Sequence, residues 1–388
     1  MQLIEVTDHK TEKAFLEVPH IIYKDNPYWV APLEKDIRAV FDPRKNDHFQ
    51  YGEVSRWILK SSDGQLIGRV AAFVNKQLAY TFKQPTGGMG FFECINERDA
   101  AFMLFDRCQE WLRERGMEAM DGPINFGEKE RFWGLLVEGH DHYPTYLMNY
   151  HQPYYRDFFE AYGFQNFYNQ YIYKADTDSV LHPVFEKMYD RLITTQGYSF
   201  EHLRVKDLDK FAHDFMTIYN KAWEGTHKYF KPMTREQAIK TFHGMKDIVD
   251  EELVWFGYHN GEPVCFLVSI PELNQVLRYL DGKLDLIGKL KFMYYRWRGK
   301  MRSIHGLVFG TVPAYRNRGV ESAVIISMRN AVMKKNWYQE MYMNWLGDFN
   351  PKMIHIIEAL GAKVFFRLVT YRKLFDENAE FERHPVLE

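Results

Sequence analysis

The stretch Val312-Pro-Ala-Tyr-Arg-Asn-Arg-Gly-Val-Glu-Ser-Ala323 places two arginines and a glycine between two apolar segments. The segment before it, Gly306–Val312, predicts a strand, and the segment after it, Val324–Met333, predicts a helix. The free N–H groups and the dipole at a helix start favour negative charge, and glycine lets the backbone approach an anion closely. The stretch therefore predicts a loop, with Arg316 and Arg318, that can bind phosphate. The alternative is a capped helix start with a solvated loop.

This loop resembles the acyl-CoA pyrophosphate loop of the GNAT acyltransferase superfamily, which reads Gln/Arg-x-x-Gly-x-Gly/Ala. Arg316 and Gly319 fill its first two fixed positions. Glu321 stands where the family has a second Gly or Ala. A carboxylate beside a pyrophosphate is unfavourable unless it points away, so we expect Glu321 to influence whether the loop binds CoA.

The resemblance also implies which residues surround acyl-CoA. Backbone groups of the strand before the loop would pair with the pantetheine arm, and the loop would hold the pyrophosphate. Strand-end and N-cap roles are the alternative for Asn344 and Asn350, and Asn350 before Pro351 fits an N-cap. The implied set is Val308, Gly310, Val312, Arg316, Asn317, Arg318, Gly319, Val320, Ser322, Asn344 and Asn350.

The composition limits the class of protein. With 388 residues, 46% hydrophobic and 16% aromatic, the chain is long enough for two or three domains with sizeable cores. A net charge of −2 argues against a general polyanion-binding protein. Cys94, Cys108 and Cys265 match neither a metal pattern nor a disulfide set, which predicts a reducing compartment and no metal. The first residues do not resemble a secretory signal, and no apolar run approaches about 18 residues. We therefore expect a cytoplasmic protein that can also be peripheral to the inner face of the membrane.

The chain contains two divergent copies of one unit. Each copy has an Asx-Gly turn between apolar runs, Asp63-Gly64 and Asn260-Gly261, which predicts a hairpin. Each copy also has a helix that stops at a glycine, Gly163 or Gly361, before an aromatic-rich strand. Hairpin and helix-ending glycines are 99 residues apart in the first copy (64 to 163) and 100 in the second (261 to 361). Between them, each copy predicts strand, helix and strand in the same order.

This order is similar to the GNAT order, in which two central strands splay apart and acyl-CoA enters between them. The resemblance implies an α/β chain with a mixed (α+β) sheet and two tandem GNAT-like (acyl-CoA N-acyltransferase fold) domains. We expect these at residues 1–178 and 179–388, with the boundary in residues 175–183. In the first copy the segment equivalent to the basic loop, Glu93–Ala100, is acidic and lacks glycine. We therefore expect the acyl-CoA site in the C-terminal half and none in the N-terminal half.

The resemblance further implies direct attack of an amine on a thioester, which needs a base for the amine and an acid for the thiolate. The family's frequent acid is a Tyr four residues before the helix-ending glycine, where this chain has Phe159 and Ile357. The remaining candidates are Tyr342 as the acid and His305 or Glu252 as the base. A structural role is the alternative for Tyr342 and for His305.

The segment Lys283–Arg302 holds seven Lys or Arg residues and one Asp, with apolar residues at helical spacing. One alternative is an amphipathic helix that packs on the domain through its apolar residues. Another is an interfacial helix on an anionic membrane surface, and an anionic ligand tail is a third. Nucleic acid is the least favoured partner. The apolar residues are Leu286, Leu290, Met293 and Trp297.

Together these features predict an acyl-CoA-dependent N-acyltransferase with acetyl-CoA or a longer acyl-CoA as co-substrate and a primary amine, small or lipid, as acceptor. The chain resembles bacterial tandem GNAT proteins linked to N-acylation of lipid amines, including sphingoid bases. The resemblance lies in the overall order of elements and in short segments such as Pro153-Tyr-Tyr155 and Leu273-Asn-Gln275. The alternative is a non-catalytic tandem GNAT scaffold that binds lipid, peptide or a protein partner. Glu321 and the absent tyrosines favour this alternative.

Overall fold

The computed structural model describes residues 1–224 and 231–387. The N-terminal half contains β1 (Gln2–Glu5), α1 (His9–Ile22), α2 (Glu34–Val40), β2 (Gly52–Lys60), β3 (Leu66–Asn75), β4 (Thr86–Cys94), α3 (Arg98–Arg113), β5 (Ala119–Gly122), β6 (Leu135–Glu138), α4 (Tyr155–Tyr162) and β7 (Gln165–Asp176). The C-terminal half contains α5 (Val184–Thr194), β8 (Tyr198–His202), α6 (Leu208–Trp223), α7 (Arg235–Met245), β9 (Val254–His259), β10 (Glu262–Pro271), α8 (Asn274–Leu277), α9 (Leu286–Trp297), β11 (Ser303–Thr311), α10 (Val320–Lys335), β12 (Glu340–Gly347), α11 (Pro351–Ala359) and β13 (Lys363–Leu374).

The hairpins and helix ends lie where the sequence predicts them. Strands β2 and β3 flank Gly64, and β9 and β10 flank Gly261. Gly163 follows α4 with φ 96°, and Gly361 lies just beyond α11 with φ 77°. These positive φ angles cost glycine little, which explains why each helix stops there.

The strands of both halves form one sheet, and the last strand of each half is exchanged. The sheet order is β1-β2-β3-β4-β5-β13-β7-β12-β11-β10-β9-β8, with β6 pairing to β13 off this path. Strand β13 pairs with β5 of the N-terminal half, and β7 pairs with β12 of the C-terminal half. Because β7 and β13 also pair with each other, a cut near residue 178 would leave each half without a central strand.

A buried ion pair fixes this exchange. Arg372 on β13 donates from Nε to Oδ1 of Asp121 at 2.6 Å and from Nη2 to Oδ2 at 2.8 Å. Its guanidinium carbon also lies 4.2 Å and 3.7 Å from the ring centroids of Phe82 and Phe167. A bidentate pair of this kind adds geometric specificity, so it ties the last strand of the C-terminal half to β5 in one register.

Helices cover both faces of the C-terminal part of the sheet. Side chains alternate along β10, so Phe266 and Val268 pack with α6 and α7, whereas Cys265 and Leu267 pack with α10. Because both faces of the sheet are covered, we expect functional groups at the strand ends and in the loops between the strands.

Helix α9 forms within the basic segment, but its apolar stripe faces outward. The helix packs on the protein through Gly288, Phe292 and Tyr295 instead. The helix therefore packs on the domain with its basic residues exposed, but the four apolar residues of the stripe do not form the packing side. Within residues 1–224 and 231–387, no helix has the length and apolar character needed to cross a bilayer. The exposed fractions of the stripe are 75% for Leu286, 60% for Leu290, 66% for Met293 and 79% for Trp297.

Candidate active site

The central feature of the candidate site is an opening between β11 and β12. The parallel ladder of these strands runs from the pair Ser303–Glu340 to the pair Gly306–Met343. Beyond this ladder, β11 continues to pair with β10 as far as Thr311, and β12 continues to pair with β7 as far as Gly347. The edge of β11 at residues 307–311 therefore faces the opening between the two splayed strands.

The basic loop lies at the far end of β11 and leads directly into α10. It contains two residues in the left-handed region, Asn317 with φ 61° and Gly319 with φ 89°. Gly319 is the N-cap of α10, and a Cβ there would lie 3.0 Å from Met188. Both the backbone angle and this close approach explain why a glycine precedes the helix. The loop thus leads through Gly319 into the start of a 16-residue helix.

Three guanidinium groups surround this loop. Arg316 donates a hydrogen bond to the carbonyl of Ala222 at 3.0 Å, and Arg318 lies 5.6 Å from the ring centroid of Tyr315. Arg191 of α5 donates to the carbonyl of Arg318 at 2.7 Å. Nothing in the local sequence identifies Arg191, because it lies 127 residues before the loop that it contacts.

Glu321 lies in the first turn of α10 and is partly buried. Burial raises the pKa of this carboxyl, and hydrogen bonds from its own backbone N–H and the Thr311 hydroxyl, with the charge of Arg316, act in the opposite direction. Glu321 therefore places an ionisable group beside the helix start, and its charge bears on whether a phosphate can bind there.

The equivalent opening in the N-terminal half is occupied by the chain itself. The N–H of Ile124 donates to the carbonyl of Met89 at 2.7 Å. Beyond it, the hydroxyl of Tyr155 accepts from the N–H of Cys94 at 2.9 Å, and the hydroxyl of Tyr154 donates to the carbonyl of Cys94 at 2.8 Å. Tyrosine hydroxyls thus use backbone groups at the end of β4, the strand equivalent to β11.

His305 and Tyr342 lie directly opposite each other on β11 and β12, at the closed end of the opening. The Nδ1 atom of His305 is 3.2 Å from Oε2 of Glu272, and both side chains are buried. The other oxygen of Glu272 accepts hydrogen bonds from the backbone N–H groups of Tyr146 and Asn274, both at 2.9 Å. These bonds fix the carboxylate beside the imidazole.

A second carboxylate, Glu340, organises the same region. Its Oε1 accepts from the hydroxyls of Ser303 and Tyr342, each at 2.8 Å, and its Oε2 pairs with Lys174. Burial acts to raise the pKa of Glu340, but these three partners outweigh it, so its pKa is lowered. Burial and then the charge of Glu340 raise the pKa of Tyr342 well above its usual range, so Tyr342 keeps its proton.

A cavity of about 350 Å³ adjoins these groups. Its walls come from both halves: the segment at residues 141–145 and Lys174 on one side, and the end of β10, α8 and β12 on the other. Both signs of charge are present, so the cavity suits a polar group with an ionisable amine better than a purely apolar ligand. Its ionisable lining includes Asp141, His142, Lys174, Glu272, Arg278, Glu340 and Tyr342.

The other predicted residues of the acyl-CoA site lie in the first turn of α10 or on β11 and just after it. Ser322 and the buried Val320 lie in the first turn of α10, and Val308 and Val312 pack against the cluster of α6 and α7. A Cβ on Gly310 would lie 2.7 Å from the Trp223 ring, so the strand has no room for a side chain there.

Three predicted residues have structural partners of their own. Glu252 pairs with Lys335 at 3.2 Å, near the C-terminal end of α10, and does not join His305 and Tyr342. Asn350 is the N-cap of α11, as its alternative interpretation proposes, and accepts from the N–H of Met353. Asn344 accepts from the N–H of Trp345 at 3.0 Å.

Two splayed-strand units in one sheet define the tandem GNAT fold. A solved tandem GNAT protein from the clavulanic acid biosynthesis pathway, determined without acetyl-CoA, matches 97% of this chain and 99% of its own with a TM-score of 0.55 and 11% identity. This likeness shows the fold, and it agrees with the fold class that the sequence predicts.

Two relatives match nearly the whole chain. The bacterial ceramide synthase of Caulobacter vibrioides (strain NA1000 / CB15N) is 27% identical over 385 residues, which cover 96% of this chain and 97% of the relative. Protein YghO of Escherichia coli (strain K12) is 23% identical over 371 residues, which cover 93% and 92%. No protein-family model matches the chain.

Proposed function

We propose that this protein is an acyl-CoA-dependent N-acyltransferase whose acceptor is a long-chain amine such as a sphingoid base. The observation that carries the proposal is the position of the opening between β11 and β12. The basic loop lies at one end of the opening, and His305, Tyr342 and Glu272 lie at the other. An acyl-CoA that spans the opening would bring its thioester towards the buried acid–base groups.

The co-substrate would bind the C-terminal half, residues 179–388. The free N–H groups at the start of α10, with Arg191, Arg316 and Arg318, would hold the pyrophosphate. The edge of β11 would pair with the amides of the pantetheine arm. In the N-terminal half, residues 1–178, the equivalent groups already bind Tyr154 and Tyr155, which supports one acyl-CoA site per chain.

The cavity beside Glu272 would hold the acceptor amine. Glu272, paired with His305, would accept the proton that the amine loses as its nitrogen bonds to the thioester carbon and the carbon–sulfur bond breaks. Tyr342, which lines the same cavity, would donate a proton to the departing sulfur. Glu340 would hold Tyr342 in place through their 2.8 Å hydrogen bond.

The choice of a lipid acceptor rests on the relatives. The Caulobacter relative is named a ceramide synthase, and a ceramide is an N-acylated sphingoid base. Carboxylates in the cavity would attract the ammonium group of such a base, which releases one proton to water before its nitrogen attacks. Lys174 and Arg278 could contact its hydroxyl groups.

One observation favours a second candidate function, a tandem GNAT scaffold without catalysis that binds lipid, peptide or a protein partner. Glu321 places a carboxylate in the first turn of α10, beside the helix start where a pyrophosphate would bind. A scaffold has no need of that phosphate site, so this candidate predicts that CoA compounds do not bind.

Thermal unfolding of the purified full chain with CoA, acetyl-CoA and palmitoyl-CoA separates the two candidates. A ligand that binds only the folded state raises the melting temperature. The proposed function predicts a rise with all three compounds and the largest rise with palmitoyl-CoA, as expected for lipid acylation. An unchanged melting temperature with all three would reject it in favour of the scaffold.

A further inference from the structure

Helix α9 presents a continuous apolar stripe away from the protein body. Besides Leu286, Leu290, Met293 and Trp297, the stripe includes Ile287 at 64% and Tyr294 at 51% exposure. With 3.6 residues per turn, these positions fall on one side of the helix. Six large exposed side chains on a 12-residue helix form an apolar patch of the kind that marks an interaction surface.

The opposite side of α9 anchors the helix, so the outward direction of the stripe is fixed. Tyr295 stacks on Tyr279, with ring centroids 3.9 Å apart and an angle of 15° between the rings. Phe292 packs against the apolar cluster that includes Leu273 and Leu277, and Arg296 donates a hydrogen bond to the carbonyl of Asp247. The stripe is therefore held at the surface by packing and is not left exposed by a loose helix.

Basic residues flank the stripe on both sides. The helical period places Lys289 and Arg296 along one border and Lys291 and Arg298 along the other. All four are exposed, as are Lys283 and Lys300 at the two ends of the helix. The one carboxylate of the segment, Asp285, is used as the helix N-cap, where it accepts from the N–H of Gly288 at 2.8 Å. The positive charge is thus local, in a chain whose net charge is −2.

We propose that α9 docks the protein on the surface of an anionic phospholipid bilayer. The apolar stripe would enter the boundary between headgroups and acyl chains, and the flanking cations would contact lipid phosphates. A nucleic acid would use the cations and the aromatic rings but not Leu286, Leu290 and Met293, which lie at the centre of the surface. The positive charge and the exposed apolar area of α9 together therefore fit an anionic membrane surface better than an RNA.

Docking would also set the position of the cavity next to Glu272. Arg278 lines that cavity, and the adjacent Tyr279 carries the ring on which α9 stacks. A bilayer-bound α9 would hold the cavity wall close to the lipid surface, so a lipid amine could reach it without passing through water. This consequence rests on the proposed function, whereas the docking does not.

Vesicle flotation of the full chain, with no CoA compound or acceptor present, tests the docking. The wild type should float with vesicles of phosphatidylcholine containing about one third phosphatidylglycerol, and far less with pure phosphatidylcholine. The double variant Leu290→Glu, Trp297→Glu should lose at least about tenfold in partitioning. A second double variant, Lys289→Glu with Lys291→Glu, should lose the preference for the anionic vesicles.

Matched variants control for surface charge. Val180→Glu with Val386→Glu changes two residues that are 89% and 63% exposed, and this variant should float like the wild type. Melting curves of all the variants should agree with the wild type, because every substituted side chain is exposed. The proposal is overturned if the wild type does not float with anionic vesicles or if Leu290→Glu, Trp297→Glu floats equally well. It is also overturned if that variant changes only the oligomeric state, since α9 would then be a protein interface.

Discussion

His305 and Glu272 form a buried pair in which Nδ1 of the imidazole lies 3.2 Å from Oε2 of the carboxylate, each side chain being 4% exposed. The pair joins the end of β10 to β11 and borders the cavity between the two halves. Neither of these two atoms makes a hydrogen bond to any residue that the structure describes, so both can still exchange a proton with a substrate. We therefore place the proton-accepting function of the site in this pair.

Glu272→Gln and His305→Asn should each lower kcat for amide formation by about 100-fold or more, because the first removes the proton acceptor and the second removes its partner. Glutamine can still accept from the N–H groups of Tyr146 and Asn274, so the fold should survive. Steady-state kinetics measure kcat, and calorimetric titration with CoA measures whether the variants still bind the co-substrate. Glu262→Gln on the exposed β9–β10 hairpin is the matched control. A full kcat in Glu272→Gln would remove this residue from the chemistry.

Glu321→Gln should bind CoA more tightly than the wild type, by about tenfold at pH 8, because a negative charge leaves the phosphate site. The difference should shrink as the pH falls. Burial raises the pKa of Glu321, so the wild-type carboxyl takes up a proton at a higher pH than an ordinary glutamate does. Calorimetric titration of both proteins between pH 8 and acidic pH gives the ratio of their Kd values, in which the titration of CoA itself cancels. Equal affinities at every pH would show that Glu321 does not face bound pyrophosphate.

Arg316→Glu should weaken CoA binding by at least about tenfold and should leave no second site in titrations, because the opening of the N-terminal half is filled by Tyr154 and Tyr155. The wild type should bind one CoA per chain. Arg44→Glu, an exposed residue of the N-terminal half, controls for the change in net charge. Two CoA molecules per chain, or full affinity in Arg316→Glu, would contradict the assignment of the site.

Arg372→Met should destabilise the whole chain by about 3–5 kcal/mol, because it leaves the buried carboxylate of Asp121 without its partner. The double variant Asp121→Asn, Arg372→Met should recover part of this loss, since it removes the unpaired charge. Urea unfolding followed by tryptophan fluorescence and by circular dichroism measures both variants. The exchange of β7 and β13 predicts that both probes shift together. Loss of stability in only one half would argue that the halves fold separately.

Much of the fold follows from local signals in the sequence. Turns at Asp63-Gly64 and Asn260-Gly261, and helix ends at Gly163 and Gly361, depend on backbone angles that few residues adopt, so the sequence locates them well. The exchange of β7 and β13 could not be predicted in this way. Both strands are aromatic-rich and follow the same local pattern, and their partners are chosen by contacts distant in sequence.

The candidate site was predictable in part for the same reason. The loop with Arg316 and Gly319 is contiguous, so its residues can be recognised together. Glu272 and Glu340 are single acidic residues at strand ends, and only the fold brings them to His305 and Tyr342. The segment Leu273-Asn-Gln275, which supports the resemblance, directly follows Glu272, but spacing alone does not reveal that this carboxylate meets His305.

Mass spectrometry of the products formed by the purified full chain from palmitoyl-CoA and a sphingoid base tests N-acylation itself. We expect an N-palmitoyl product that accumulates with equimolar free CoA, and at least about 100-fold less of it with Glu272→Gln. Palmitoyl-CoA that binds without forming any amide, with this acceptor or with other long-chain amines, would show that the protein is not an N-acyltransferase of this kind.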